Sequence, residues 1–205
     1  MNAKSDPSTI ALPGICPADD AALAARLAAG EASALREVIA RHAAALHRLA
    51  YRITGDAAES EDIVQEAILR LWDRAAQIAA RHPVGSLAAP NLRLGGWLQR
   101  VVTNLAIDRL RRTRRLPGGE VPDRADDTPP ADHLIEGNER DAATRALIAA
   151  LPDRQRAAIV LTYYEELPNA EAAAAMNMNI KGFESLLYRG RAALRQAWTA
   201  QGDAP

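Results

Sequence analysis

The sequence is poor in the residues on which several classes of protein depend. It contains one cysteine, Cys16, which excludes an internal disulfide framework and a cysteine-based zinc cluster. Aromatic residues make up only 4% of a chain rich in alanine and leucine, and this favours helices over strands. No apolar run is long enough to span a bilayer, and the N-terminus lacks the basic start and long apolar centre of a signal peptide. These absences predict a helical, cytoplasmic protein.

Signs of catalysis or ligand binding are equally scarce. The four histidines are scattered, and only His42 and His47 fall on one predicted helix, where a spacing of five places them on different faces. The chain has no phosphate-binding glycine loop and no nucleophile elbow. We therefore expect no enzymatic activity, no metal site, no cofactor and no small-molecule substrate.

Helical periodicity is present in two blocks, separated by a segment rich in proline, glycine and acidic residues. The predicted fold class is all-α, with two small helical domains joined by a flexible acidic linker. The predicted boundaries are a mobile tail at 1–17, a first domain at 18–115, the linker at 116–138 and a second domain at 139–205. A loop rich in proline and glycine, residues 81–95, interrupts the first domain.

Charge is unevenly distributed along a chain whose net charge is only -1. Residues 109–115, RLRRTRR, contain five arginines, whereas the charged residues of 120–139 are mostly acidic. Cations at the end of a helix suit its dipole, which explains part of the run. Phosphate binding explains the rest better, because the arginine fork matches phosphate oxygens.

The C-terminal block predicts a short helix, a tight turn and a longer helix. Asn177 occupies the position where the turn needs a left-handed residue, and Asn179 is placed to cap the second helix. Ile180, Phe183 and Leu187 are expected to face inward. This is the layout of a helix-turn-helix, in which the second helix enters a major groove. An ordinary helical hairpin has the same pattern, and spacing alone does not separate the two.

Two segments of the first block complete the pattern. DIVQEAILRLW carries an apolar stripe, and by spacing alone its outer side is an ordinary solvated helix face. GWLQRVVTNLAIDRLRR follows, then the acidic segment, then LPDRQRAAIVLTYYEELPNAEAAAAMNMNIKGFESLLYRGRAALR. In this order and separation, the segments between Asp19 and Trp198 resemble the extracytoplasmic-function (ECF) class of bacterial RNA polymerase sigma factors.

The resemblance implies a role for each segment. The first would dock on the clamp coiled coil of core RNA polymerase through Asp62, Gln65, Glu66, Leu69 and Arg70. The second would bind and melt the −10 promoter element through Trp97, Arg100, Asn104, Asp108, Arg111, Arg112 and Arg115. The helix-turn-helix would read the −35 element through Asn179, Lys181, Gly182, Glu184, Ser185, Tyr188 and Arg189.

The same resemblance implies the partners: core RNA polymerase, promoter DNA and an anti-sigma factor, often membrane-anchored, with the free chain a monomer or a heterodimer with that factor. The chain departs from the family at Asn177, where glycine is usual, and at Glu184 and Leu186, where lysine or arginine is usual. Two alternatives are a sigma-like decoy that titrates an anti-sigma factor and a stand-alone helix-turn-helix regulator. The retained arginines and the lack of a receiver-like strand pattern argue against the decoy.

Overall fold

The structure is a computed structural model that describes residues 17–113 and 139–202. Within these ranges the chain forms eight α-helices, one 3-10 turn at Ala89–Asn91 and no strand. The helices are α1 (Pro17–Ala28), α2 (Ala32–Thr54), α3 (Ala57–Arg81), α4 (Leu94–Thr113), α5 (Glu139–Ala149), α6 (Asp153–Tyr163), α7 (Asn169–Ala175) and α8 (Ile180–Gly202). The all-α prediction is confirmed, while the whole of the predicted linker and nearly all of the predicted tail lie outside the described residues.

Helices α1 to α4 pack around one apolar core, and local signals set where α3 begins. Gly55 ends α2 in the left-handed conformation, with φ 77° and its N–H donating to the Tyr51 carbonyl. Asp56 then accepts a hydrogen bond from the Glu59 N–H at 2.9 Å and so caps the start of α3. The predicted stripe of α3 faces the core, with Ile63 and Leu71 fully buried.

A buried carboxylate fixes the start of α4. Asp20 of α1 is only 3% exposed and accepts a hydrogen bond at 2.8 Å from the N–H of Leu94, the first residue of α4. A carboxylate at this position satisfies one of the free amides of the helix end and complements its dipole. The contact therefore sets where the helix that carries the predicted −10 residues begins.

Helices α5 to α8 form the second unit around Phe183, which is fully buried, and Leu187. A methyl group at Gly190 would lie 3.3 Å from Ile159 Cγ1, so this glycine lets α6 and α8 approach closely. The inward placement predicted for Ile180 is wrong, since its side chain is 44% exposed. Ile180 is the first residue of α8, and at this end of the helix its side chain stays largely in solvent.

The two units are in contact, because α6 and α7 pack against α2 and α4. Arg156 of α6 is 6% exposed and donates a hydrogen bond at 2.8 Å to the carbonyl of Ile53, in the last turn of α2. The carbonyls of that turn have no partner within their own helix, and the helix dipole there favours a cation. The second unit thus caps a helix of the first.

Candidate nucleic-acid and protein interfaces

The outer face of α3 combines an apolar centre with a polar surround. Leu69 is 62% exposed, and Asp62, Gln65 and Arg70 beside it are also exposed. The opposite side of the helix is the stripe buried in the core, so these four side chains share the free face. Such an arrangement is typical of a protein-binding surface, where an apolar anchor is ringed by polar groups.

Glu66, the fifth residue predicted on that face, is turned toward α4. Its carboxylate accepts hydrogen bonds from Arg70 at 2.6 Å and from Arg109 at 3.1 Å, and Arg109 also reaches Glu59 at 3.2 Å. Partial burial alone would raise the pKa of Glu66, but the hydrogen bonds from Arg109 and Arg70 hold that pKa below its ordinary value. Arg109 therefore joins α4 to α3, and the general phosphate-binding role expected for the RLRRTRR arginines is wrong at this position.

The other charged side chains in the last two turns of α4 point outward. Asp108, Arg111 and Arg112 are exposed, and Arg111 lies 3.8 Å from Asp108. Trp97, also predicted to contact the −10 element, is half-buried and packs against the core. Arg115 lies outside the described residues. Two adjacent guanidinium groups at a helix end provide the cationic surface that a nucleic-acid backbone requires.

Arg100 and Asn104, about two turns and one turn before Asp108 on α4, contact the second unit. The Arg100 guanidinium donates to Asn177 Oδ1, with Nε at 2.9 Å. Asn104 Nδ2 donates to the Ala175 carbonyl at 2.8 Å, and Asn177 Nδ2 donates to Asn104 Oδ1 at 3.0 Å. The two residues of the predicted −10 row are thus joined to the turn between α7 and α8.

That turn has the geometry predicted from the sequence. Asn177 has φ 50°, in the left-handed region, and Asn179 Oδ1 accepts a hydrogen bond from the Gly182 N–H at 2.7 Å. A methyl group at Gly182 would lie 3.1 Å from this same oxygen, so glycine leaves room for the cap. Gly182 thereby has a structural role besides the DNA contact predicted for it.

The first turns of α8 present a polar face to the outside. Tyr188 is 73% exposed, and the other predicted side chains of this face are exposed as well. They are Lys181, Glu184, Ser185 and Arg189. Phe183 and Leu187 on the opposite side are buried, so the helix is anchored in its unit with one face available to a groove.

A second polar contact between the units was missed by the sequence analysis. Glu165, just after α6, accepts hydrogen bonds from Arg52 at 3.0 Å and from Gln99 at 3.5 Å, and Arg52 also lies 4.8 Å from the centre of the Tyr164 ring. Burial raises the pKa of Glu165, and the nearby Arg52 only partly offsets this effect. No local pattern in YYEEL signals this contact, because its partners lie in α2 and α4.

The loop between α3 and α4 is ordered by a few internal contacts. His82 Nδ1 lies 2.9 Å from the Ala88 carbonyl, and Ala89 and Leu92 are buried. Leu87 projects from the loop with 97% of its side chain exposed. The loop therefore holds an apolar side chain in solvent just before the predicted −10 helix.

Residues 17–113 and 139–202 contain no group of three or more histidine, cysteine or acidic side chains placed to hold a metal ion. None of the helices described there has the length and apolar character needed to cross a bilayer.

Comparison with known proteins gives matches in both units. Residues 38–116 match the family model for Sigma-70 region 2, and residues 141–194 match that for Sigma-70, region 4. The ECF RNA polymerase sigma factor SigL of Mycobacterium tuberculosis is 34% identical over 172 residues, which cover 82% of this chain and 90% of SigL. The chain belongs to the ECF sigma factor family. The predicted order of the two blocks is therefore confirmed as that of a sigma factor.

Other sigma factors extend the comparison. SigE of Mycolicibacterium smegmatis is 31% identical over 78% of this chain, which spans only 59% of the length of SigE. The sigma factor RpoE of Bartonella quintana, solved in complex with the anti-sigma factor NepR, has the same fold. Its TM-score is 0.56 at 21% identity, over 80% of this sigma factor and 96% of that chain.

Proposed function

We propose that this chain is an alternative sigma factor that binds core RNA polymerase and directs initiation at specific promoters. It works in the cytoplasm and catalyses no reaction itself. The observation that carries the proposal is the presence, on one chain of this family, of a protein-type surface on α3 and two polar surfaces on α4 and α8. A sigma factor needs these three surfaces to bring polymerase to a two-part promoter.

The α3 face is the proposed polymerase surface. Leu69 would fill an apolar depression on the partner, and Asp62, Gln65 and Arg70 would form the polar rim around it. Binding energy in such interfaces is concentrated in a few central anchors. The clamp coiled coil of the polymerase is the element that the family resemblance implies as the partner of this face.

The α4 surface is proposed to open the −10 element. Arg111 and Arg112 would hold backbone phosphates, while Arg100 and Asn104 would hydrogen-bond a base flipped out of the stack. Flipping a base costs a few kcal/mol, which the protein must repay through stacking and hydrogen bonds. The exposed Leu87, in the loop just before α4, would supply an apolar group that a flipped base could contact.

The first turns of α8 are proposed to read the −35 element in the major groove. Lys181 and Arg189 would contact phosphates or guanine, and Glu184 would accept a hydrogen bond from a cytosine amino group. An acidic side chain in this position repels phosphates, so it adds selectivity rather than affinity. An anti-sigma factor, like the one that RpoE binds in the solved complex, is the proposed inhibitory partner.

Run-off transcription with purified core polymerase and genomic promoter fragments tests the proposal. The wild-type chain should start transcripts at a subset of fragments, and mapping the starts gives the promoter sequence. Failure to initiate from any promoter would refute the proposal. Binding of core without transcription would favour the decoy, and dimeric binding to a palindrome without polymerase would favour a stand-alone regulator.

Replacement of Arg111 and Arg112 by alanine tests the phosphate role of α4. Promoter opening should weaken at every promoter, and the slope of log affinity against log salt should become shallower by roughly one for each cation removed. Arg195→Ala is the matched control, because this exposed arginine lies far along α8. A change of promoter preference instead of a uniform loss would assign base reading to these arginines.

A further inference from the structure

The DNA-facing row of α4 already has a partner within the chain. Arg100 and Asn104 contact the turn of the helix-turn-helix through the Asn177 side chain and the Ala175 carbonyl, with distances of 2.8 to 3.0 Å between the atoms that define the contact. We call these four residues the polar lock. It joins the surface proposed for the −10 element to the domain proposed for the −35 element.

The polar lock uses the hydrogen-bonding groups that a flipped base would need. Asn104 Nδ2 donates to the Arg100 carbonyl at 2.7 Å and to the Ala175 carbonyl at 2.8 Å, so both of its amide hydrogens are engaged. Its oxygen accepts from Asn177, which also occupies the Arg100 guanidinium. A base cannot bind these groups until Asn177 withdraws.

The backbone of the turn does not itself require asparagine. At φ 50° glycine carries no steric penalty, and asparagine is only tolerated there. The amide of Asn177 therefore contributes something besides the turn, and in this structure its partners are Arg100 and Asn104. Ala175 ends α7, so its carbonyl is one of the groups that a helix leaves unpaired, and Asn104 satisfies it.

Two other contacts favour the same arrangement of the units. Glu165 binds Arg52 and Gln99, and Arg156 binds the Ile53 carbonyl. These contacts involve α2, α4 and α6, and they bring the second unit against the first without using the DNA-facing row. The polar lock is thus one part of a wider interface, and it is the part that covers the predicted −10 residues.

We propose that the free chain is self-inhibited: the helix-turn-helix turn occupies the −10 surface of α4, and Asn177 must leave before a promoter can be opened. The proposal rests on the −10 role assigned to α4 above. If only a fraction of the molecules is in the conformation that binds a ligand, the apparent affinity for that ligand is reduced by the same fraction. Weakening the polar lock should therefore raise activity, which is the opposite of the usual effect of a mutation in a DNA-binding motif.

Asn177→Gly tests the proposal, because it removes the amide while glycine retains the left-handed turn. Glu166→Gly is the matched control: Glu166 also has a positive φ, of 51°, and lies outside the polar lock. Both variants are made in the full chain with Cys16→Ser, which removes the native thiol. Gln77→Cys on α3 and Gln196→Cys on α8, two exposed positions, then carry the labels. The distance between the labels in the free protein reports opening, and run-off transcription at limiting core polymerase reports function.

Asn177→Gly should lengthen the distance between the labels and raise the open-to-closed ratio roughly fivefold to tenfold, as expected for losing two or three modest hydrogen bonds. Transcription at limiting polymerase should rise severalfold, and Glu166→Gly should change neither quantity. An unchanged distance in Asn177→Gly, or an equal change in Glu166→Gly, overturns the polar lock. A longer distance in a chain that never initiates transcription leaves the lock in place and refutes the proposed function instead.

Discussion

Arg156 provides the most demanding test of how the two units are held together. Its guanidinium donates to the Ile53 carbonyl at 2.8 Å, to the Leu151 carbonyl at 3.3 Å and also to the Ala149 carbonyl. These acceptors belong to the last turn of α2, the end of α5 and the turn before α6. One buried side chain thus satisfies backbone groups of three segments. Arg156→Met keeps most of the side-chain volume and removes every donor.

The expected loss of stability depends on whether those carbonyls are left without a hydrogen-bond partner. A hydrogen bond to a charged group contributes about 1.5 to 3 kcal/mol, and an acceptor left unpaired in the interior costs about 1 to 3 kcal/mol. The bonds to Ile53 and Leu151 are buried, whereas the carbonyl of Ala149 is partly exposed and recovers water. Arg156→Met also removes the free-energy cost of burying the guanidinium charge, which offsets part of the loss of stability. We expect unfolding to become easier by about 3 kcal/mol, a large share of the 5 to 15 kcal/mol typical of a folded protein.

Urea denaturation followed by circular dichroism and tryptophan fluorescence measures this loss. Trp72 and Trp97 lie in the first unit and Trp198 in the second, so variants that keep only Trp97 or only Trp198 show whether the units unfold together. Arg195→Met is the control, since Arg195 is exposed and its replacement should change the free energy of unfolding by less than about 0.5 kcal/mol. If Arg156→Met is as stable as this control, the reasoning from unpaired carbonyls is refuted.

Three further predictions concern charged groups elsewhere in the structure. Asp20→Ala should lower the free energy of unfolding by about 1 to 2 kcal/mol in urea denaturation, since it leaves the Leu94 N–H unpaired, and Asp20→Asn should lose less because it keeps an acceptor. Arg109→Met and Glu66→Gln should show a coupling energy of about 0.5 to 1 kcal/mol in a double-mutant cycle, and additive effects would contradict the contact between α3 and α4. Burial raises the pKa of Glu165, so its contribution to stability is present below pH 4.5 and is lost as the pH rises through the raised pKa. The melting temperature of the wild type should therefore fall, relative to that of Glu165→Gln, as the pH rises through this range. A difference in melting temperature that does not change with pH would contradict the raised pKa of Glu165.

The features predicted correctly from the sequence are those set by near neighbours in the chain. The buried stripe of α3 follows from the helical spacing of its apolar residues. The turn at Asn177 follows from the tolerance of asparagine for positive φ. In each case the cause lies within one or two helical turns, so periodicity and residue type carry the information.

The features that were missed depend on residues distant in the chain. Asp20 and Leu94 are 74 positions apart, and Asn104 and Asn177 are 73 apart. Nothing in the spacing of either segment indicates which side chain of the other it will meet. Arg109 illustrates the same limit, because an arginine that pairs with acids of α3 is indistinguishable, in sequence, from one that binds phosphate. Tertiary pairing, and not helix formation, was the unpredictable step.

The chemistry of the polar lock explains why a DNA-facing surface can be covered by its own chain. A base edge presents hydrogen-bond donors and acceptors side by side, and asparagine is suited to read such a pair. A carboxamide and a peptide carbonyl present the same two kinds of group, and these are what Asn177 and Ala175 offer to Arg100 and Asn104. The residues of α4 that would hydrogen-bond a flipped base therefore also hydrogen-bond amide groups of the protein itself. A turn with glycine in place of Asn177 offers the backbone carbonyl alone, so the strength of self-inhibition depends on a single side chain in the turn.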